Sequence, residues 1–270
     1  MPLFLRHTRA VELTSAGAQL LLAVSQALPR VDAAVRQIRQ SAGRRSVSLT
    51  TFASFASMWL IPRLEAFQRD HPDIDIRIDA SDAALDLEMA DVDIALRYGP
   101  PATMPAGALR LFGEQLTVVA SPWLLKSVPS IQSAKDLVNF TLIEAGDTHR
   151  TQNLEWLSWQ RWFEAQKLPT FEPKRWLYFN YAHQIVQAAL TGQGIALARM
   201  PLVADSLASG DLVEVLPQAR LDSPMAYWLL TAPRSAQRPE IKAFCAWLQL
   251  QAKNTRQAIG EVPDPDFSDD

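Results

Sequence analysis

Apolar residues at Val24, Leu28, Val31, Val35 and Ile38 are spaced four, three, four and three apart, and none of these positions carries a charge. That spacing is the seam of a helix that pairs with another helix, so a homodimer or homotetramer held by these five residues is expected. The alternative is an amphipathic helix lying on its own domain. Thr14 is placed to cap the helix, and Gly43 to stop it just after Ser41. Pro29 lacks an N–H and clashes one turn back, which predicts a kink or a local break.

Beyond Gly43 the period changes. Strand-like runs fall at Ser46–Phe52, Ile74–Asp79, Val92–Arg97, Leu116–Ala120, Phe140–Glu144, Trp176–Phe179, Gly194–Arg199, Leu212–Val215 and Ala226–Thr231. Helical runs lie between them at Ser57–Asp70, Leu154–Gln166, His183–Thr191, Pro201–Ala208 and Pro239–Gln251. This alternation predicts an α/β fold with mostly parallel sheet. In such folds ligands sit at the carboxyl ends of strands, against helix N-termini.

Charge sharpens the division at Gly43. Residues 1–45 hold seven Lys and Arg against two acids, +5, which leaves −8 on the rest of a chain whose total is −3. A basic arm on an acidic body suits a terminus that faces a polyanion. The single cysteine, Cys245, lies in an apolar run and excludes a disulfide framework, so a reducing compartment and cytoplasmic location are expected. Leu20–Leu28 is far too short for a membrane span, and Met1–Ala10 lacks the layout of a secretion signal. Residues 253–270 read as a disordered acidic tail with two prolines.

Catalytic chemistry finds little support. The four histidines, His7, His71, His149 and His183, have no metal-ligand spacing with one another or with Cys245, so neither metal nor cofactor is expected. Gly192-Gln193-Gly194 precedes a strand and not a helix, which fits a turn and not a dinucleotide fingerprint. Trp156, Trp159 and Trp162 recur at helical spacing and should pack one helix onto the core. No enzyme is predicted.

A ligand pocket fits the pattern better. Ser54 and Phe55 follow the first strand and precede a helix, so Ser54 offers a hydroxyl beside unpaired helix N–H groups, or else caps that helix. Asn180, Tyr181 and His183 stand where another strand passes into another helix, and would form a second wall; His183 could equally be an exposed surface residue. Arg97 and Tyr98 end a strand before Gly99-Pro100-Pro101; Arg97 would clamp a carboxylate, or pair structurally with Asp91 or Asp93. Glu144 and Arg199 hold comparable strand ends and are weaker candidates.

The stretch Pro2-Leu3-Phe4-Leu5-Arg6-His7-Thr8-Arg9, continuing to Leu13-Thr14-Ser15-Ala16-Gly17, resembles the signature of LysR-type transcriptional regulators. Phe52–Leu64, His71–Ile74, Asp91–Gly99 and Thr191–Leu197 extend the resemblance to about Leu250, in the manner of the glycine-cleavage-activator subgroup. The resemblance implies a wing remnant at 1–13, a linker and dimerisation helix at 14–45, and a two-lobed effector domain like periplasmic solute-binding proteins of type 2. Lobe I would span 46–118 plus 224–252, and lobe II 119–223. It further implies that Met1 stands where the DNA-reading helix should be ending, so the chain is expected to hold DNA weakly or not at all, with Arg6 and Arg9 as the residues that would touch phosphates. A small metabolite would bind at Ser54, Phe55, Arg97, Tyr98, Asn180, Tyr181 and His183. The rival expectation is a free-standing small-molecule-binding protein with no DNA role.

Overall fold

A computed structural model describes residues 1–6, 11–25, 28, 45–81, 87, 92–126, 128, 130–146, 154–168 and 170–261. Arg9, Pro29, Val31, Val35, Ile38 and Asp91 lie outside these residues, and the long linker helix is described only over residues 15–25 and at 28. The chain divides into two compact units, Met1–Ser46 with Asp73–Asp75, and Val47–Pro72 with Ile76–Asp270.

In the first unit β1 (Phe4–Arg6) pairs antiparallel with β2 (Val11–Leu13), Phe4 opposite Leu13. Thr14 caps α1 (residues 15–25), its Oγ1 accepting the Gly17 N–H at 3.1 Å. Gly17 has no substitute there, because a Cβ would run into the Leu3 carbonyl oxygen. Leu20, Leu21, Leu22, Val24 and Leu28 are all exposed.

Among its described residues the second unit is built on one nine-stranded sheet. Its strands are β3 (Arg45–Thr51), β4 (Ile74–Ala80), β5 (Ile94–Gly99), β6 (Leu109–Ala120), β7 (Thr141–Ala145), β8 (Arg175–Phe179), β9 (Ile195–Arg199), β10 (Val213–Glu214) and β11 (Leu221–Thr231). Along the sheet the order is β4-β3-β5-β11-β6-β9-β7-β8, with β10 paired to β6. The expectation of mostly parallel sheet holds only at the flanks, where β3 runs with β5 and β7 runs with β8 and β9. In the middle β11 and β6 pair antiparallel with each other and with β5 and β9, making the sheet mixed. These two strands are twelve and eleven residues long, twice what their apolar cores announce. Bulges between Ser223 and Ala226 and between Tyr227 and Trp228 break their alternation.

Helices cover the sheet. α2 begins as Ala53–Phe55, widens to a π segment over Ala56–Leu60 and continues as Ile61–Asp70. Pro62 lacks the N–H that would bond the preceding turn, and the π segment lies on that side of it. α3 (Trp159–Ala165) buries Trp159 and Trp162 completely, their indole N–H groups donating to the carbonyls of Ile143 and Ala219 at 2.8 and 2.7 Å. Trp156 stands apart from that pair, its ring 4.0 Å from the Arg161 guanidinium. α4 (Ala182–Leu190) and α5 (Met200–Ser209) pack through Ile185, Val186, Ala189 and Val203 against Ala196 and Ala198 of β9.

α6 (Pro239–Ile259) corrects the expected tail: the helix does not end at Gln251 but buries Ala252, Thr255 and Ile259. Residues 253–259 therefore belong to the fold. Just past it, the Glu261 carboxylate accepts the Gly113 N–H at 2.9 Å and Arg110 at 2.5 Å, tying the end of α6 to β6. Asp93, ahead of β5, is a second tie. Its carboxylate takes Ser48 N and Oγ at 2.9 Å each, Ser235 Oγ at 2.6 Å and Arg238 at 2.8 Å.

Candidate functional site

Two strand-to-helix junctions meet. The chain leaves β3 at Thr51 and enters α2 within two residues, while it leaves β8 at Phe179 and enters α4 at Ala182. Ser54 Oγ lies 3.2 Å from His183 Nδ1 and accepts the His183 backbone N–H at 3.3 Å. Residues 129 positions apart are thus in direct contact. Ser54 is buried and His183 half-buried, so this histidine is not the surface residue offered as its alternative. Nor does Ser54 cap its own helix, whose N-cap is Phe52 with no side-chain bond. The Tyr181 ring stacks on the His183 ring with centroids 5.4 Å apart, and Tyr181 remains 37% exposed.

Asn180 lines a cavity of about 50 Å³, together with Met58, Ala145, Leu157, Arg199 and Leu202 among others. A single buried water needs about 10–15 Å³ on that scale, so the cavity has room for a small organic molecule. Its walls are mostly aliphatic. Asn180 supplies an amide and Arg199 the one charge among the described lining residues.

The other expected residues part company with this group. Phe55 is buried among aromatic rings, stacked 4.9 Å from Trp59 and 5.1 Å from Tyr227. Arg97 donates to the carbonyls of Thr50 and Leu96 at 3.3 and 3.1 Å, and its guanidinium lies 6.0 Å from the Phe52 ring. Its proposed structural partner Asp93 is held instead by Ser48, Ser235 and Arg238. Arg6 closes β1, and Val24 and Leu28 beyond it are exposed.

Tyr98 leads to a cluster that sequence reasoning missed. Its hydroxyl donates to Glu114 Oε1, and Tyr227 donates to Glu114 Oε2 at 3.0 Å. Arg199 Nε stands 3.8 Å from the same Oε2, and the guanidinium lies 4.5 Å from the centre of the Tyr98 ring. Strand register explains the meeting: Tyr98 is opposite Tyr227, Tyr227 opposite Phe112, and Arg199 opposite Leu116. Glu114 sits two residues from Leu116 and so points to the same side of the sheet, on the diagonal from Arg199. Burial pushes the Glu114 carboxyl up, against the pull of Arg199 and the two phenols, and burial also raises both tyrosines. The legible signal was parity, since Glu114 falls in step with the buried Leu116, Val118 and Ala120.

Glu144, at the end of β7, has its carboxyl pushed up to about 7 by burial, although it accepts the N–H groups of Trp159 and Ala145 at 3.2 Å each. Chemically the whole arrangement binds better than it reacts. Ser54 and His183 have the outline of an activated hydroxyl, yet the histidine is faced by the Tyr181 ring, and among the described residues no carboxylate bonds it. Among the described residues no cluster of His, Cys, Asp and Glu could hold a metal ion. Among them, too, no helix is long and apolar enough to cross a membrane.

Known proteins share this plan. The family model described as LysR substrate binding domain matches residues 40–253. The glycine cleavage system transcriptional activator of Escherichia coli is 29% identical over 252 residues, covering 93% of this chain and 80% of its own. The transcriptional activator AmpR of Pseudomonas aeruginosa is 30% identical over 247 residues, covering 91% and 79%. The crystal structure of that AmpR's effector domain superposes with a TM-score of 0.60, covering 82% of this chain and 100% of its own at 29% identity.

Proposed function

The chain belongs to the LysR family of transcriptional regulators by its substrate-binding domain, and from that premise we propose that it is a cytoplasmic sensor whose effector is a small metabolite held between two lobes. Lobe I is taken as 46–118 plus 224–252 and lobe II as 119–223. Residues 14–45 dimerise through Val24, Leu28, Val31, Val35 and Ile38, after a wing at 1–13 whose Arg6 and Arg9 contact DNA phosphates. The observation that carries the reading is the Ser54–His183 contact beside the cavity lined by Asn180. An effector that enters must either break that contact or be closed over by it, and either event redistributes the protein between lobe arrangements. Ser54, Asn180, Tyr181 and His183 line its path; Phe55, Arg97 and Tyr98 act from behind, through packing.

A metabolite library read by thermal shift tests this. Hits should stabilise the wild type and lose their effect in Leu202→Trp, which fills the cavity; hits that persist in the folded variant refute the site. Val31→Asp with Val35→Asp should convert the dimer to a monomer in size-exclusion chromatography. An unchanged oligomer sinks the linker assignment and favours a free-standing binding protein.

A further inference from the structure

We infer that the cavity selects a monocarboxylate with a short, branched aliphatic body, and that Arg199 is the residue that reads the carboxylate. This rests on the cavity being the effector site. Three observations converge on Arg199. Among the described residues it is the one charged member of a lining otherwise made of apolar side chains and the Asn180 amide. Its side chain is 18% exposed, whereas that of its counter-ion Glu114 is 0% exposed, so a molecule in the cavity meets the Arg199 side chain and not the acid. And the pairing with Glu114 is loose, at 3.8 Å, beyond hydrogen-bond length, while the two Glu114 oxygens are already occupied by the hydroxyls of Tyr98 and Tyr227.

Consequently the acid does not need Arg199 for its hydrogen bonds, and the guanidinium, which lies over the Tyr98 ring and bonds the Tyr227 hydroxyl, retains further N–H groups for another oxyanion. A ligand carboxylate fits those groups, whereas an ammonium would meet like charge in an apolar wall. Among the described residues the remaining titratable neighbours do not oppose an anion: the Glu144 carboxylate is turned to the N–H groups of Ala145 and Trp159, and His183 faces Ser54 and Tyr181. Met58, Leu157, Ile185, Leu197 and Leu202 then match a branched chain. Drawing Arg199 toward the ligand also loosens its hold on Glu114, which links occupancy on β9 to the two central strands β6 and β11.

The test uses three isosteres, 3-methylbutanoate, 3-methylbutanamide and 3-methylbutylamine, titrated calorimetrically into the purified chain. The carboxylate should bind at least about tenfold more tightly than the amide, and the amine should not bind. Arg199→Gln should abolish that preference, and Arg199→Lys should keep it at reduced affinity. Because Arg199→Gln leaves the Glu114 carboxylate without a cation, Arg199→Gln with Glu114→Gln serves as the variant that folds without a stranded charge. Equal binding of amide and carboxylate, or a preference that survives in the folded double variant, overturns the inference. Absence of carboxylate binding up to about 10 mM overturns it as well. In each of those cases library hits that vanish in Leu202→Trp leave the effector site standing, whereas carboxylate binding that survives Leu202→Trp removes both.

Discussion

Glu144→Gln gives the cleanest test of the electrostatics. The wild-type carboxyl titrates at about 7 in the folded chain, against an ordinary 4.5 once the chain unfolds. A folded value raised by burial means that the native state holds a proton the unfolded state has released. Stability contributed by this group is therefore whole below the unfolded value, falls as pH rises between 4.5 and about 7, and is lost above that. The interval corresponds to a penalty of about 3 kcal/mol at alkaline pH. Glutamine carries no charge and keeps one acceptor for the N–H groups of Trp159 and Ala145, losing about 1 kcal/mol for the second. The variant should be slightly less stable than wild type at about pH 5 and more stable by about 2 kcal/mol at about pH 8.5. Urea unfolding followed by tryptophan fluorescence across that range reads the crossing. Two curves that stay parallel would show that Glu144 titrates normally and would refute the reasoning.

Three further outcomes follow from packing and hydrogen bonds. Thr255→Val leaves the buried Trp59 indole N–H, now bonded to Thr255 Oγ1 at 2.9 Å, without an acceptor, and should lower the unfolding free energy by about 1–3 kcal/mol in urea. Asp93→Ala removes the acceptor shared by Ser48, Ser235 and Arg238, and should cost about 3 kcal/mol, seen as a drop in urea midpoint with no change of slope. Gly194→Ala puts a Cβ 2.6 Å from the backbone carbonyl oxygen of Thr141, so β9 must shift from β7; a loss of about 1–3 kcal/mol is expected, and a neutral result would show that the junction yields freely.

The elements of the second unit were legible because their signals are local. β3, β5, β7, β8 and β9 announce themselves as apolar runs ended by turn residues, and the structure moves their limits by no more than two residues. What escaped depends on partners far along the chain. The first half of β6, Leu109–Gln115, mixes Arg110, Gly113 and Glu114 with apolar residues and reads as loop until β11 lies beside it. The last turns of α6 hide their buried stripe, Leu248, Ala252, Thr255 and Ile259, in small residues among Gln, Lys, Asn and Arg. The site divided the same way. Ser54 and His183 were visible because strand-to-helix junctions can be found in one segment at a time, whereas the Tyr98–Glu114–Tyr227–Arg199 cluster draws on four strands and needs their register.

The tie between Glu261 and β6 bears on where this domain may be cut free. The family match ends at residue 253, a natural place for a designer to put a stop codon. A domain excised there would lose Thr255 from the Trp59 indole, Ile259 from the core, and the carboxylate that holds Arg110 and Gly113. Its central strand would then lack the carboxylate that Arg110 and the Gly113 N–H now bond, beside the stretch where it pairs with β11. Excision after residue 261 keeps all three, and is the boundary at which a minimal sensor should still express as a folded protein.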